Sequence, residues 1–416
     1  MNRLQYLQID SDGRLVIPHE IRQRYGLHAG TKLALHEGKH RLNIQIPTST
    51  LRRVYVEPTN ICNLNCVTCM RNVWDESLGM MKSEIYTRII EGMKALTPTP
   101  SIFLGGLGEP LHHPNIIEMV KQAKAIGARV ELITNGTLLS EEKAKQFIDS
   151  GLDMLWFSID GATPKSYSDV RLGDLLPQLL ENIRRLRQLR DQIYAYTPQI
   201  GFAFVAMKRN IADLPEVIRM GINLGVKHFS VTNVLAYTPE LKKEILYSRA
   251  LYKGAYLSSA DVLPHLSLPR IDIDEHTQKA IMELLRPNYL LTLTDGEIEQ
   301  TTDVCPFVHR GSTAIRWDGA LSPCLPLMHT YDSYLDERVR RSCAYSFGTL
   351  AEHDLKTIWE LPDYVSLRET LQSFTFSPCT YCNSCEMAND NQEDCFGNIL
   401  PTCGGCLWAQ GLIQCP

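Results

Sequence analysis

Cys62-Asn63-Leu64-Asn65-Cys66-Val67-Thr68-Cys69 follows directly on Val54–Glu57, an apolar run that reads as a β-strand. Three thiolates at this spacing in one loop can hold three irons of a cubane and leave the fourth iron open. A closed structural zinc site wants a fourth protein ligand, and none is adjacent. An open iron is a place for a substrate or cofactor to bind. Outward from this loop, further strands are expected at Ile102–Leu104, Arg129–Ile133, Leu155–Ile159, Gly201–Val205 and Phe229–Thr232. Helices are expected around 83–95, 115–126, 141–149, 174–193 and 214–224. Ser140 as N-cap, Glu141 and Glu142 in the first turn and Gly151 past the end mark one of them clearly. Six β/α alternations predict an α/β fold, a parallel sheet with right-handed crossovers, closed or partly closed as a (β/α)6 TIM-like barrel. Chemistry in such barrels sits at the C-terminal ends of the strands, where the cysteine loop lies.

The other cysteines extend the argument. The chain has 416 residues and 13 cysteines. None falls between Met70 and Val304, and ten fall between Cys305 and Cys415. An odd, clustered set in a chain of this size fits metal or cluster ligands better than a disulfide framework. A formal net charge of −5 and 21% charged residues speak against a globally basic nucleic-acid binder and against a disordered chain. No apolar run is long enough to span a membrane. Met1 to Glu20 has no apolar signal core, so a cytoplasmic protein is expected.

With these motifs the chain resembles the radical S-adenosylmethionine (SAM) superfamily, whose signature is CxxxCxxC after the first barrel strand. The resemblance implies a [4Fe-4S] cluster on Cys62, Cys66 and Cys69, with the amine and carboxylate of SAM on the fourth iron. One electron then splits the sulfonium to give a 5′-deoxyadenosyl radical. Gly105-Gly106-Leu107-Gly108-Glu109-Pro110 resembles the family's GGE motif, which implies Gly106, Gly108 and Glu109 at the methionyl amine. Glycines allow close approach, and a carboxylate suits an ammonium. Thr134-Asn135-Gly136 and Ser158-Ile159-Asp160-Gly161 resemble the segments that hold the carboxylate and ribose, which implies Asn135, Ser158 and Asp160. Arg171 stands where many relatives keep an arginine near the SAM carboxylate. Each of these residues also has a plainer reading: Glu109 as the acid opening a helix before Pro110, Asn135 and Ser158 as turn residues, and Asp160 as the shaper of its Asp-Gly turn.

Cys305, followed after thirteen residues by Gly319-Ala320-Leu321-Ser322-Pro323-Cys324, resembles the opening of the SPASM domain, an extension carrying auxiliary iron–sulfur clusters. The second set is Cys379, Cys382, Cys385, Cys395, Cys403, Cys406 and Cys415, in which Cys385 comes earlier than the usual SPASM pattern has it. One or two auxiliary [4Fe-4S] clusters are implied, on Cys305, Cys324, Cys379, Cys382, Cys385, Cys395, Cys403 and Cys406. Two cubanes need eight thiolates, which leaves Cys343 and Cys415 as spares; a zinc knuckle in place of one cluster stays open.

The first 47 residues read as two strand pairs around a short helix. Gly13-Arg14-Leu15-Val16-Ile17-Pro18 with Glu20-Ile21-Arg22 and Leu27-His28-Ala29-Gly30 resembles the AbrB/SpoVT swapped-hairpin family, which implies a homodimer. Its local charge of +3 is modest for phosphate binding, so DNA is not expected as a partner. The expected organisation is a small β-rich swapped-hairpin domain over 1–47, a partial barrel over 48–235, a mainly helical connector over 236–300 and a Cys-rich SPASM-like domain over 301–416. Together head, barrel and tail resemble the radical SAM maturases associated with tungsten-containing aldehyde ferredoxin oxidoreductases. That implies a protein, peptide or cofactor target, such an oxidoreductase as partner, and a ferredoxin or flavodoxin as electron donor. Two alternatives are a SPASM enzyme forming thioether or carbon–carbon crosslinks in a ribosomal peptide, and a DNA-binding iron–sulfur regulator. A regulator would have no use for Glu109 or a ribose-holding segment.

Overall fold

A computed structural model describes residues 7–25, 27–31, 33–38, 41–45, 47–248, 265–284, 292–293, 303–335, 338–382 and 385–415. Two antiparallel pairs make up the head: β1 (Gln8–Ile9) with β2 (Leu15–Val16), and β3 (Ala34–Gly38) with β4 (Arg41–Gln45). The helix His19–Tyr25 stands between them. The Asp10 carboxylate accepts from the Asp12 and Arg14 amides and closes the first turn. Lys32, part of one expected strand, and Gly26, the expected helix stop, lie outside the described residues.

The strands that follow are β5 (Arg53–Val56), β6 (Ser101–Leu104), β7 (Val130–Thr134), β8 (Met154–Ser158), β9 (Gln199–Ala206), β10 (His228–Asn233), β11 (His265–Ser267), β12 (Thr292–Leu293), β13 (Ser312–Ile315) and β14 (Leu321–Ser322). They form one ten-stranded sheet in the order β12-β11-β10-β9-β8-β7-β6-β5-β13-β14, parallel throughout except at β14. Successive residues point to opposite faces, and both faces are covered. Val54, Val56, Leu104, Leu132, Leu155 and Phe157 pack against the helices. Tyr55, Phe103, Met154 and Trp156 pack instead against Phe307, Val308 and Leu371 of the C-terminal extension. Strands buried on both sides are therefore nearly continuous in apolar residues. Each such side chain contributes about 1.5–3 kcal/mol before the cost of ordering the chain.

Helices cover the outer face at Ser83–Lys94, Ile116–Ala125, Glu141–Asp149, Leu176–Gln192 and Leu214–Asn223, within a few residues of expectation. Ser140 does cap its helix, accepting from the Lys143 amide at 3.2 Å.

Three features differ from the sequence reading. The chain adds a helix, Pro164–Arg171, which opens on a Thr163–Ser166 capping box. The described part of the connector holds two short helices, Pro239–Lys242 and Gln278–Leu284, and the strands β11 and β12, which widen the sheet. Strands of two and three residues are too short for a period-2 pattern to reveal. The remainder of the connector (249–264, 285–291 and 294–300) lies outside the described residues. Thirdly, the extension is not a separate body beside the barrel. Its β13 pairs parallel with β5, Ser312 opposite Arg53 and Ile315 opposite Val56. The extension also carries a hairpin of β15 (Tyr331–Leu335) and β16 (Arg338–Ser342). Among the described residues no helix is long and apolar enough to cross a membrane.

Candidate functional site

The CxxxCxxC loop leaves the C-terminal end of β5 and is fastened on three sides. Thr59 Oγ1 donates to Gly79 O at 2.7 Å, and Asn60 bonds Ser77 O and the Gly79 amide. Within the loop, Asn72 Nδ2 donates to Cys66 O and Arg71 Nη2 to Leu64 O. The helix Pro164–Arg171 docks on it as well, with the Val67 amide donating to Val170 O at 2.9 Å.

All three sulfurs receive N–H donors. The Leu64 amide lies 3.4 Å and Asn135 Nδ2 3.8 Å from Cys62 Sγ. Arg171 Nη1 lies 3.6 Å from Cys66 Sγ, and Arg71 Nε 3.3 Å from Cys69 Sγ. Burial pushes the Cys62 and Cys66 thiols up despite these donors. Such thiols give up their protons to a metal, and the donors then stabilise the sulfur charge. This donor set fits a cubane on three thiolates. Among the described residues no three His, Cys, Asp or Glu side chains form a ready-made single-ion site.

Glu109 is 2% exposed and lies at the end of β6. Oε1 accepts from Thr134 Oγ1 at 2.6 Å and the Leu111 amide at 2.9 Å, while Oε2 accepts from the Asn135 amide at 2.7 Å. It thus caps the turn Pro110–His112, as a helix-opening acid would. Three of its roughly four acceptor positions are used, which leaves room for one further donor. Burial pushes its carboxyl up, and the three donors oppose that push.

The glycines act differently from the simplest expectation. A Cβ on Gly108 would clash with Thr59 O and lie 2.7 Å from Ile61 O, and one on Gly106 would lie 2.6 Å from Glu57 Cγ. The close approach they permit is therefore to the cysteine loop itself. The Glu109 amide donates to Ile61 O across the same junction.

Asn135 reaches the cysteine loop through Nδ2, 3.0 Å from Asn63 Oδ1, while its Oδ1 accepts from the Thr137 amide and hydroxyl. Ser158 is half-buried as the last residue of β8. Asp160 is fully buried and faces the protein: Oδ1 accepts from the Val205 amide at 2.8 Å, and Oδ2 pairs with Arg171 Nη2. Burial lowers the Arg171 pKa, but the charges of Asp160 and Cys66 outweigh it and raise it. Asp160 fixes the arginine, and the arginine meets the cysteine loop. Sequence reasoning missed Arg71 and Glu57, and it singled out Thr134 only as part of the Thr134-Asn135-Gly136 segment. Arg71, two residues past Cys69, was the one with a readable signal.

In the extension, Cys305, Cys324, Cys403 and Cys406 line one apolar pocket together with Phe307 and Trp408. Burial pushes Cys305 up to about 12, raises Cys406, and holds Cys324 and Cys403 well above the usual thiol value. A walled-in set of four neutral thiols fits a cluster that supplies its own positive charge. Cys379 is buried, Cys382 and Cys385 are half-buried and Cys395 is exposed. Asp394 accepts from the Ser377, Phe396 and Asn398 amides and so fastens the Cys395 loop beside the Cys379 turn. Cys343 is held by Asn391, and Cys415 packs in the same apolar cluster as Cys305 and Cys403.

Comparison with known proteins gives the same picture. A family profile described as the Radical SAM superfamily matches residues 56–200, and one described as an iron–sulfur cluster-binding domain, SPASM, matches residues 305–386. The chain is 31% identical over 370 residues to the tungsten-containing aldehyde ferredoxin oxidoreductase cofactor-modifying protein of Pyrococcus furiosus, covering 88% of this chain and 97% of that one. It is 26% identical to a probable GTP 3′,8-cyclase of Methanocaldococcus jannaschii, over 66% of this chain and 85% of that one. Its fold is similar to that of Streptococcus suis SuiB bound to precursor peptide SuiA, with a TM-score of 0.55, 15% identity, and coverage of 80% of this chain and 70% of that one.

Proposed function

The chain belongs to the radical SAM superfamily and carries a SPASM iron–sulfur extension, and from that premise we propose that it modifies the cofactor or the protein of a tungsten-containing aldehyde ferredoxin oxidoreductase. The observation that carries this reading is identity to the cofactor-modifying protein along nearly that protein's whole length.

In this reading Cys62, Cys66 and Cys69 hold the [4Fe-4S] cluster. A cluster held there and reduced by a ferredoxin or flavodoxin would supply the one-electron chemistry that cleaves the sulfonium of SAM and starts hydrogen-atom abstraction. Glu109 offers its remaining acceptor position to the methionyl ammonium. Gly108 keeps that carboxylate beside the start of the cysteine loop and Gly106 keeps the same segment against Glu57, while Asn135 orients the cysteine loop near the methionyl group through Cys62 and Asn63 and Ser158, ending β8, is assigned to the ribose and carboxylate. Arg171, oriented by Asp160, places positive charge beside Cys66 and the SAM carboxylate. Cys305, Cys324, Cys403 and Cys406 hold one auxiliary cluster, and Cys379, Cys382, Cys385 and Cys395 are assigned to a second. Residues 1–47 form a dimerisation module. Exposed Leu35, Leu42 and Ile44, which the β3–β4 register puts on one face, support this, because exposed apolar side chains so grouped call for a partner. The site of action is the cytoplasm.

The test is to quantify 5′-deoxyadenosine from the reduced, cluster-loaded chain with SAM, beside Cys66→Ala, with and without the tungsten oxidoreductase. Product that disappears in Cys66→Ala and rises with the oxidoreductase is expected. Turnover indifferent to the oxidoreductase but stimulated by a precursor peptide would overturn the choice of target.

A further inference from the structure

Arg340, on β16, is 5% exposed. Its Nη1 donates to Ala388 O at 3.3 Å, and among the described residues no carboxylate stands within ion-pairing distance of it. It lines a second pocket that shares Cys324, Cys403, Cys406 and Trp408 with the four-thiol pocket. The other polar groups there, Tyr331, Ser333, Ser342, Asn391 and Thr402, are all uncharged.

The Cys403-Gly404-Gly405-Cys406 loop is shaped to admit this guanidinium. A Cβ on Gly405 would run into Arg340, and one on Gly404 would run into Ser377 O. The arginine therefore lies against the backbone between the two cysteines. A buried guanidinium with no carboxylate partner among the described residues is a costly arrangement, which an anionic group held in this pocket would offset.

We propose that Arg340 is the counter-cation of an auxiliary [4Fe-4S] cluster held by Cys305, Cys324, Cys403 and Cys406, and that it raises the reduction potential of that cluster. The inference rests on the assignment of those four cysteines made above. A cubane on four thiolates is a dianion and gains another negative charge when one electron enters from the titrant, so a nearby buried cation favours the reduced form. Arg340 acts through the cluster and touches no reacting atom.

The experiment is a dithionite titration followed by electron paramagnetic resonance, on full-length reconstituted chains carrying Cys62→Ala, Cys66→Ala and Cys69→Ala so that only auxiliary clusters report. Arg340→Met should shift the reduction equilibrium of one cluster about tenfold toward the oxidised form, about 59 mV for one electron. Arg340→Lys should restore most of it. An unchanged midpoint in Arg340→Met at equal iron content overturns the proposal.

Melting of the iron-free chains decides the case in which Arg340→Met takes up no iron. Without iron, Arg340→Met should melt at or above the parent, because an uncompensated charge has been removed. A lower melting point in that state makes Arg340 an ordinary packing residue and overturns the proposal. The cysteine assignment has its own control: a Cys324→Ala chain that retains every iron shows the assignment to be wrong, whatever Arg340 does.

Discussion

His329 Nε2 stands 3.0 Å from Glu57 Oε2, joining the end of β5 to the C-terminal extension across 272 residues of sequence. The other ring nitrogen meets Glu76, and Glu57 Oε1, which also lies 3.2 Å from His329 Nε2, accepts from the Leu107 amide at 3.1 Å. One fully buried imidazole therefore couples the GGLGEP loop, the segment after the cysteine loop and the extension.

Burial disfavours the His329 imidazolium, but the hydrogen bonds and charges of Glu57 and Glu76 outweigh it and raise its pKa. A raised histidine contributes stability that is complete below the unfolded value, near 6.5, and is lost as pH rises through the folded value. Under reducing conditions the wild type should therefore lose stability on the alkaline side of about pH 6.5. His329→Gln should flatten that dependence and cost about 3–5 kcal/mol at pH 6, since two carboxylates then lose their partner. Denaturant melts across pH 6–9 check both.

Asp160 holds Arg171, and Arg171 reaches Cys66. Asp160→Asn keeps an acceptor for the Val205 amide but removes the charge from a buried pair. It should destabilise the chain by about 3–5 kcal/mol and lower iron occupancy of the three-cysteine loop. Arg171→Lys, which keeps the charge without the fork, should retain more iron than Asp160→Asn. Denaturant midpoints and iron analysis test this.

Gly108→Ala places a methyl group where Thr59 O and Ile61 O already are. The loop must move by roughly the width of that clash, and a misplacement of about 1 Å near a reacting centre costs about 100-fold. Production of 5′-deoxyadenosine should fall by about that factor.

Glu109 is pushed up by burial, and the proposed ammonium contact needs it ionised. SAM affinity should therefore fall on acidification at a pH above the ordinary carboxylate range. Glu109→Gln should weaken binding by about 1.5–3 kcal/mol, roughly tenfold to a hundredfold, and remove that dependence. Equilibrium binding of SAM from pH 5 to pH 8 checks it.

The sequence made local order readable and left tertiary partners hidden. Each barrel strand from β5 to β10 announced itself as an apolar run bounded by turn residues, because a sheet covered on both faces demands that composition. The three-thiol loop was readable because its ligand atoms lie within eight residues. Arg171 was legible only as a position; that Asp160 turns inward to hold it depends on a helix, Pro164–Arg171, whose two buried apolar residues, Tyr167 and Val170, are too few to show periodicity. Nothing local links His329 to Glu57, Arg340 to Gly405, or Ser312 to Arg53. Such pairs are set by how the extension folds back over the sheet.

The pairing of β13 with β5 also sets a timetable. As the chain leaves the ribosome, β5 is the first sheet strand to emerge, yet the strand on its outer side appears only some 255 residues later. Until then its edge exposes unpaired amides and carbonyls beside the cysteine loop, open to pairing with another nascent chain. A contact so distant in sequence forms slowly. Iron delivered before release would meet a loop whose sheet is still unfinished. The strand that begins the barrel is also the one that the chain finishes last.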